Sequence, residues 1–537
     1  MKRRNKSISS WVLAGLIVLG LVLAGCSSKP TEEAKPATPG AAAGQPVQGG
    51  TLTLATQADV ATFDAHHTGD VPSQMVQWHI YEPLLRWTDE GVVGPGLATE
   101  WSWSDDGLTL TLKLKKGVKF HDGTDFNAEA VKYNLDRVRD PELSLRGRSM
   151  LTAVADIETP DDHTVVLKLT ETSGAMMSNL ASTQLSIVSQ KALEEYGADI
   201  SLHPVGTGPF QFVQWDTKEK VVLKAFADYH GPKPYLDELI FKPVPDQQAR
   251  VAMLEAGDAQ VAAPIPLQDI ERLEADGRFV VEGIAGMDNL HMPLNTLKEP
   301  FNDVRVRQAL NYAVDNDALV KSIYLGYATP LTDSPLAPAM FGWVPVGEYY
   351  KRDVAKAKQL LADAGHADGF KMIIWIPDGR YIQDRRCSEA VAGYLKEIGV
   401  DVELQTYEWA TYVSKLLGSE ANKAEYDAVL ISFAVGTRDA DRGMASIYES
   451  TQWVPKSFNL SFYANDEVDA ALQTAREETD QQERLRLYGE AGKQIMEDAP
   501  AIFLVSYEFV GAYSNKVHGL ALDPNGGVDV TRAWVEK

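Results

Sequence analysis

Residues 353–405 read DVAKAKQLLADAGHADGFKMIIWIPDGRYIQDRRCSEAVAGYLKEIGVDVELQ, and their punctuation sets the fold class. Asp353 is a natural N-cap for a helix reaching Ala364, because its carboxylate can accept from the first free backbone amides, and Gly365 falls where a glycine ends a helix. An apolar strand, Phe370 to Ile376, follows. A helix from Ser388, a second N-cap candidate, to Ile398 then ends at Gly399 and leads into a strand from Val400 to Gln405. Strands alternating with helices of this length predict a βαβ unit and a parallel sheet.

Working outward, the spacing predicts a helix from Val304 to Tyr324 before this unit, then a helix around Glu408 to Leu417 and a buried strand from Tyr426 to Phe433 after it. The first half of the chain is dominated by strands. Leu52 and Leu54 alternate with polar residues, as do Leu108, Leu110, Leu112 and Leu114, and Val165, Leu167 and Leu169, the pattern of strands with one buried face. Phe210 to Trp215 and Val221 to Phe226 flank a turn-rich stretch compatible with a hairpin, and Leu239 to Phe241 is a short apolar strand. The expected class is α/β.

At 537 residues with 45% hydrophobic content, the chain is long enough for two large lobes or about three domains. Its 51 Lys and Arg against 75 Asp and Glu give a formal charge of −24, which argues against a nucleic-acid partner, since phosphate binding rests on clustered cations. Lys2, Arg3, Arg4 and Lys6 precede an apolar run, Trp11 to Ala24, of signal-peptide length and too short for the roughly 20 residues of a spanning helix. Leu23-Ala24-Gly25-Cys26 looks like a bacterial lipobox in which Cys26 carries diacylglycerol. Residues 27–50, SSKPTEEAKPATPGAAAGQPVQGG, have almost nothing to bury and read as a disordered tether. The expected location is extracytoplasmic, on a cell membrane through a lipid anchor. Cys387, the other cysteine, is expected to be a packed residue.

The chain has no G-x-x-x-x-G-K-[ST], H-E-x-x-H, G-x-S-x-G or C-x-x-C motif, so no common catalytic or metal signature is present. The nearest approach to a metal cluster, His66-His67 with His79, places adjacent histidines on opposite faces of an extended segment. Two polar loops after buried strands stand out. The first is Pro377-Asp378-Gly379-Arg380-Tyr381, and the second, from Ala434 to Arg442, carries Asp439 and Asp441. Ligands of open α/β sheets sit outside the carboxyl ends of the strands, so both loops are expected to face one crevice. A guanidinium suits a carboxylate and a carboxylate suits an ammonium, which points to an amino acid, a peptide or glutathione. Alternatively, Arg380 pairs with Asp378 or Asp384 and Asp439 only shapes a turn. Tyr381 and Trp409 are candidates to cap a ligand, whereas Trp375 reads as core and Trp453 stays a further aromatic near the loops.

The body resembles the peptide/nickel family (family 5) of extracellular solute-binding proteins that serve ABC importers. The resemblance rests on Pro95-Gly96-Leu97-Ala98 through Trp101, Ser104-Asp105-Asp106-Gly107, Gly117-Val118-Lys119-Phe120-His121-Asp122-Gly123-Thr124, Pro204-Val205-Gly206-Thr207-Gly208-Pro209-Phe210 and Asp303-Val304-Arg305-Val306-Arg307. Asn459-Leu460-Ser461-Phe462-Tyr463 leans toward glutathione binders, and Arg380 looks like the carboxylate-binding arginine of dipeptide binders. Gly436 stands where those dipeptide binders carry an ammonium-binding Asp, a role that Asp439 or Asp441 would have to take over.

The resemblance implies a two-lobe periplasmic-binding-protein-like fold (type II) with an extra domain inserted in the first lobe. Lobe I would be 50–80, 203–290 and 505–537, the inserted domain 81–202, and lobe II 291–504. It further implies a non-catalytic receptor, without cofactor or metal and expected as a monomer, that captures a peptide-like solute between its lobes and delivers it to a permease. Thr62, Phe63 and Asp64 are candidate first-lobe contacts, and Arg148 is a candidate on the inserted domain. Alternatives are a receptor for nickel, haem or another non-peptide solute of the same family, an exported hydrolase, and a structural surface protein.

Overall fold

Fourteen residues, Ala501–Ser514, form one strand that belongs to two antiparallel ladders. Its first half pairs with Asn289–Pro293, Leu290 opposite Val505 and Met292 opposite Ile502; its second half pairs with Phe279–Ala285, Ala285 opposite Glu508 and Phe279 opposite Ser514. The chain therefore passes from one ladder to the other twice, at 286–288 and near 506. The computed structural model describes residues 45–537 apart from Asp89, Glu90, Asn422 and Val435. Cys26, the signal segment 1–25 and the tether up to residue 44 lie outside the described residues.

Around the shared strand the main sheet runs in the order 431–433, 289–293, 501–514, 261–263, 51–56, 238–243, 220–225 and 210–216. Thr51–Thr56 lies parallel to both of its neighbours, Glu238–Pro243 and Val261–Ala263. Alternation of Leu52 and Leu54 predicts one buried face, yet every residue from Leu52 to Thr56 is buried. A central parallel strand is covered on both sides, which explains the difference. Phe210–Asp216 and Lys220–Ala225 form the expected hairpin.

A second sheet is the expected βαβ unit: Phe370–Pro377 lies parallel to Val400–Tyr407 on one side and to Ala428–Val429 on the other. Its helix is Asp384–Glu397, starting four residues before the expected Ser388, whose hydroxyl instead donates to the Asp384 carbonyl at 2.8 Å within the helix. The segment predicted as one helix, Val304 to Tyr324, is two, Val304–Ala313 and Asn316–Ser322. Asp315 between them accepts from Ala318 N–H and caps the second. Tyr426 to Phe433 is likewise split. Ala428–Val429 joins the parallel sheet and Ile431–Phe433 joins the ladder with Asn289–His291, so this segment links the two sheets.

A separate antiparallel sheet, in the order 98–103, 109–114, 164–169 and 154–161, packs beneath the helix Ala128–Arg139 over its own core, which includes Leu110, Leu112, Val131, Leu135 and Val165. Its junction with the main sheet explains one of the motifs. A Cβ on Gly206 or Gly208 would lie 2.1 Å from the Ile80 carbonyl oxygen or 2.7 Å from that of His79, so only glycine permits this approach. His121-Asp122-Gly123-Thr124 is a turn in which Asp122 accepts from the Thr124 N–H at 3.0 Å.

Three histidines are bonded to backbone carbonyls in the interior or at its edge. His66 Nε2 meets the Ser186 carbonyl at 2.9 Å, His121 Nε2 meets that of Gly208 at 2.9 Å, and His291 Nδ1 meets that of Asn289 at 2.7 Å. Burial lowers all three to about 4 from an ordinary 6.5. Because the unfolded chain then binds more protons between these values, their contribution is fully present above pH 6.5 and is lost as pH falls toward 4, by on the order of 3 kcal/mol per histidine at most. Urea midpoints measured from pH 7 to pH 4 are expected to fall through this window, with a shallower slope in His291→Gln. An unchanged slope in that variant would show that His291 does not contribute.

Candidate ligand-binding site

Parallel pairing of Phe370–Pro377 with Val400–Tyr407 brings the two strand ends together. Glu408 then caps the helix Trp409–Leu417 by accepting from the amides of Ala410 and Thr411, which fixes Trp409 beside the loop at 378–383. Tyr381 and Trp409 meet edge to face, ring centroids 5.9 Å apart. The exposed Arg380 guanidinium lies over both rings, 5.0 Å from Trp409 and 5.4 Å from Tyr381. Asp384, the alternative partner, instead accepts from the backbone amides of Arg380 and Tyr381 at 2.8 and 3.1 Å. Among the described residues the Arg380 guanidinium has no carboxylate partner. Burial pushes the Tyr381 phenol up to about 12 against the opposing effect of the Ser432 backbone N–H. Arg380, Tyr381 and Trp409 thus come together as the sequence suggests, while Trp375 packs between Tyr407 and Tyr426, and Trp453 donates to the Tyr463 carbonyl.

The crossing between the ladders lies beneath this cluster. Asp288 accepts from the Ser432 hydroxyl at 2.6 Å, and Tyr507 Oη lies 3.5 Å from the same hydroxyl. Tyr324 stacks on Tyr507 with centroids 6.3 Å apart and donates to the Ile382 carbonyl at 3.2 Å, which ties the Arg380 loop to the crossing strands. At Gly286 an added Cβ would sit 2.5 Å from the Tyr507 carbonyl oxygen, so the crossing strands need glycine there. Sequence reasoning overlooks Asp288, Ser432 and Tyr507. The available signal is one carboxylate inside the otherwise mainly apolar stretch Gly283-Ile284-Ala285-Gly286-Met287-Asp288-Asn289-Leu290.

The second loop requires a correction. Asp439 is 1% exposed and engaged by Arg484 through two hydrogen bonds of 2.8 and 3.0 Å, with the Ser178 hydroxyl donating at 2.5 Å. Its carboxylate also accepts from the Asp441 N–H and caps the helix Ala440–Tyr448, so both of its oxygens are engaged within the protein. Asp441 pairs with Arg476 at 2.8 Å and faces a polar cavity of about 260 Å³ against residues 149–179, away from Arg380 in its contacts. Burial raises the Asp441 carboxyl, with Arg476 opposing. Arg438 of the same loop ion-pairs with Asp523 in the short strand Ala521–Asp523, joining this loop to the C-terminal segment.

The first-lobe candidates are also internal. Phe63 is fully buried against Phe212 and Trp215. Asp64 is held by Arg137 at 2.7 and 3.1 Å; burial works against its ionisation, and the Arg137 hydrogen bond and the charges of His66 and Arg137 outweigh it, leaving the carboxyl below its ordinary value. Both are structural, Asp64 because its partner sits on the helix of the separate antiparallel sheet. Half-buried Thr62 accepts from the Asp64 N–H, and exposed Arg148 donates to the Arg139 carbonyl; neither contacts the Arg380 cluster.

The family model for bacterial extracellular solute-binding proteins, family 5 Middle, matches residues 92–454. Over 477 residues the chain is 34% identical to the glutathione-binding protein GsiB of Salmonella typhimurium, spanning 89% of this chain and 93% of that one. Among solved structures it is similar to the periplasmic binding protein DppA of Helicobacter pylori in complex with the peptide STSA, with 31% identity, TM-score 0.72, and 91% and 99% of the two chains covered. It is also similar to the oligopeptide-binding protein AppA of Bacillus subtilis in complex with a nonapeptide, with 25% identity, TM-score 0.71, and 92% and 100% covered.

Asp439→Ala leaves the Arg484 charge buried without a partner, and is expected to cost about 3–5 kcal/mol. Urea unfolding checks this; a loss below about 1 kcal/mol would mean that water or a shifted carboxylate replaces Asp439.

Proposed function

The chain belongs to the bacterial extracellular solute-binding proteins of family 5, and on that premise we propose that it is the receptor of an ABC importer, capturing peptide-like solutes such as glutathione and di- or oligopeptides and handing them to a membrane permease. The observation that carries the reading is the Arg380 guanidinium, without a carboxylate partner among the described residues, stacked on Tyr381 and Trp409 beside the strands where the ladders cross. A planar, permanently charged fork held open on aromatic faces suits a ligand carboxylate, and the rings supply apolar surface for the adjoining side chain. Binding would be the work of the lobes proposed from the sequence, 50–80, 203–290 and 505–537 against 291–504, with 81–202 inserted in the first, closing by rotation about the crossing. The receptor acts without catalysis, as a monomer, and is held on the extracytoplasmic side of the membrane by a lipid on Cys26.

Calorimetric titration of residues 27–537 with glutathione and tri-alanine is expected to give micromolar or tighter binding, about −8 kcal/mol or better. Arg380→Ala is expected to weaken it by about 10- to 100-fold, the value of a hydrogen bond to a charged group. Absence of binding to glutathione, tri-alanine and a dipeptide panel would overturn the peptide reading. For the anchor, Cys26→Ala is expected to move the protein from the membrane fraction to the soluble fraction, and retention on the membrane would refute lipidation at that residue.

A further inference from the structure

The segment 81–202 meets both proposed lobes, in two different ways. Toward the first lobe it shares one apolar core: Tyr81, Val188 and Leu193 pack in the same cluster as Leu52, Leu54 and Phe210. Main-chain bonds close that junction, from the Gly208 N–H to the Ile80 carbonyl and from the Phe210 N–H to that of His79, each 2.9 Å long. Gly206 and Gly208 let the two chain segments touch there. Parts joined through a common close-packed core and by continuous main chain move as one body.

Toward the second lobe the contact is of another kind. Residues 172–178 lie against the helices Ala440–Tyr448, Asp466–Glu477 and Gln481–Asp498, yet among the described residues the apolar core that holds Met176 and the one that holds Met444 and Tyr488 have no member in common. Polar bonds hold this seam. The Ser178 hydroxyl donates to Asp439 at 2.5 Å, the Gly174 N–H donates to the Arg476 carbonyl at 2.7 Å, and Arg442 reaches the Ser149 hydroxyl at 3.3 Å. Between them lies the polar cavity of about 260 Å³, bordered by Thr152 and Thr172 on one side and by Asp441 and Gln473 on the other. When the two faces part, Asp439 keeps Arg484 and Asp441 keeps Arg476, all within the second lobe. Parting therefore breaks no ion pair, and water takes over the polar groups that the seam releases.

Building on the receptor reading and its lobes, we infer that this seam is a latch for the closed state. Segment 81–202 is carried by the first lobe, so residues 172–178 reach the second lobe only when the lobes close, and leave it when the solute is released. Ser178 is the polar pin of the latch and Gly174 its point of closest approach. A Cβ at 174 would lie 1.9 Å from the Glu478 carbonyl oxygen and 2.7 Å from Arg484 Nε, and the three atoms nearest to it all belong to the second lobe. A methyl group there obstructs the seam from the side that moves. Ser178 and Gly174 bond to the seam and not to the Arg380 cluster. They act on the fraction of receptor that closes, and apparent affinity scales with that fraction.

The test is calorimetry on residues 27–537 with tri-alanine and glutathione for the wild type, Gly174→Ala and Ser178→Ala, with thermal melting of each protein free of solute. Gly174→Ala is expected to lose tenfold or more in affinity for both probes. Ser178→Ala is expected to lose about tenfold, the value of a hydrogen bond to a charged group. Both variants are expected to melt as the wild type does when solute-free, because the open receptor does not use the seam. Spin labels on Thr152→Cys and Gln473→Cys, exposed positions on opposite sides of the cavity, are expected to draw together when tri-alanine is added; Cys387 is buried and stays unlabelled. Wild-type affinity in both variants, or a label separation that solute leaves unchanged, would overturn the latch while leaving the receptor reading intact. A marked fall in the melting temperature of either solute-free variant would make the seam a permanent joint and overturn the latch as well. A wild type that binds neither probe overturns the latch together with the receptor reading.

Discussion

The antiparallel pairing of Ala501–Ser514 with the two strands flanking Gly286–Asp288 is the constraint on which the other parts depend. One uninterrupted strand supplies hydrogen bonds to both ladders, so each half of the sheet is templated by the other. Close approach at Gly286, where a side chain would strike the Tyr507 carbonyl, keeps the segment at 286–288 against its partner. The Ser506 hydroxyl donates to the Gly286 carbonyl at 3.2 Å across the same gap. A joint built in this way can bend but cannot slide, because sliding would break both registers at once.

Buried arginines are divided between backbone and side-chain partners. Arg250 donates to the carbonyls of Val244, Pro245 and Pro264, and Arg307 to those of Phe301 and Asp498, each completing the acceptors of a loop or helix end. Arg484 is wholly buried against Asp439, which also meets Ser178 from the separate antiparallel sheet region, so one charge pair anchors three segments. Arg137 does the same for Asp64 and His66. Arg380 differs from these. Its contacts are aromatic faces, which hold a guanidinium in position without using its donors.

The architecture was legible where local rules coincide with tertiary ones. Asp353 and Gly365, and Gly399 before Val400, mark their elements because capping is a property of a few adjacent residues. Ser388 misled because a serine inside a helix can bond back to the carbonyl four residues earlier, and nothing in its neighbours distinguishes that role from a cap. Leu52 and Leu54 suggest a half-buried strand because alternation does not report a second covering layer. That Arg380, Tyr381 and Trp409 come together was readable from strand-end position, a consequence of parallel pairing. Asp439, Asp441, Phe63 and Asp64 were not. Whether a carboxylate is free depends on a partner such as Arg484, 45 residues away, or Arg137, 73 residues away, and linear sequence carries no record of that pairing.

The Arg438–Asp523 pair joins the loop after Ile431–Phe433 to the strand Ala521–Asp523 near the second ladder, and its side chains keep 14% and 22% of their exposure. Solvent reaches both charges, so dissolved ions compete for them, and their attraction weakens as the Debye length shrinks from about 10 Å at 0.1 M salt to about 3 Å at 1 M. If the two sides separate when the molecule opens, ionic strength acts on that opening through the protein's own charges. Part of any salt dependence in uptake would then originate in the receptor, even for a solute with no net charge.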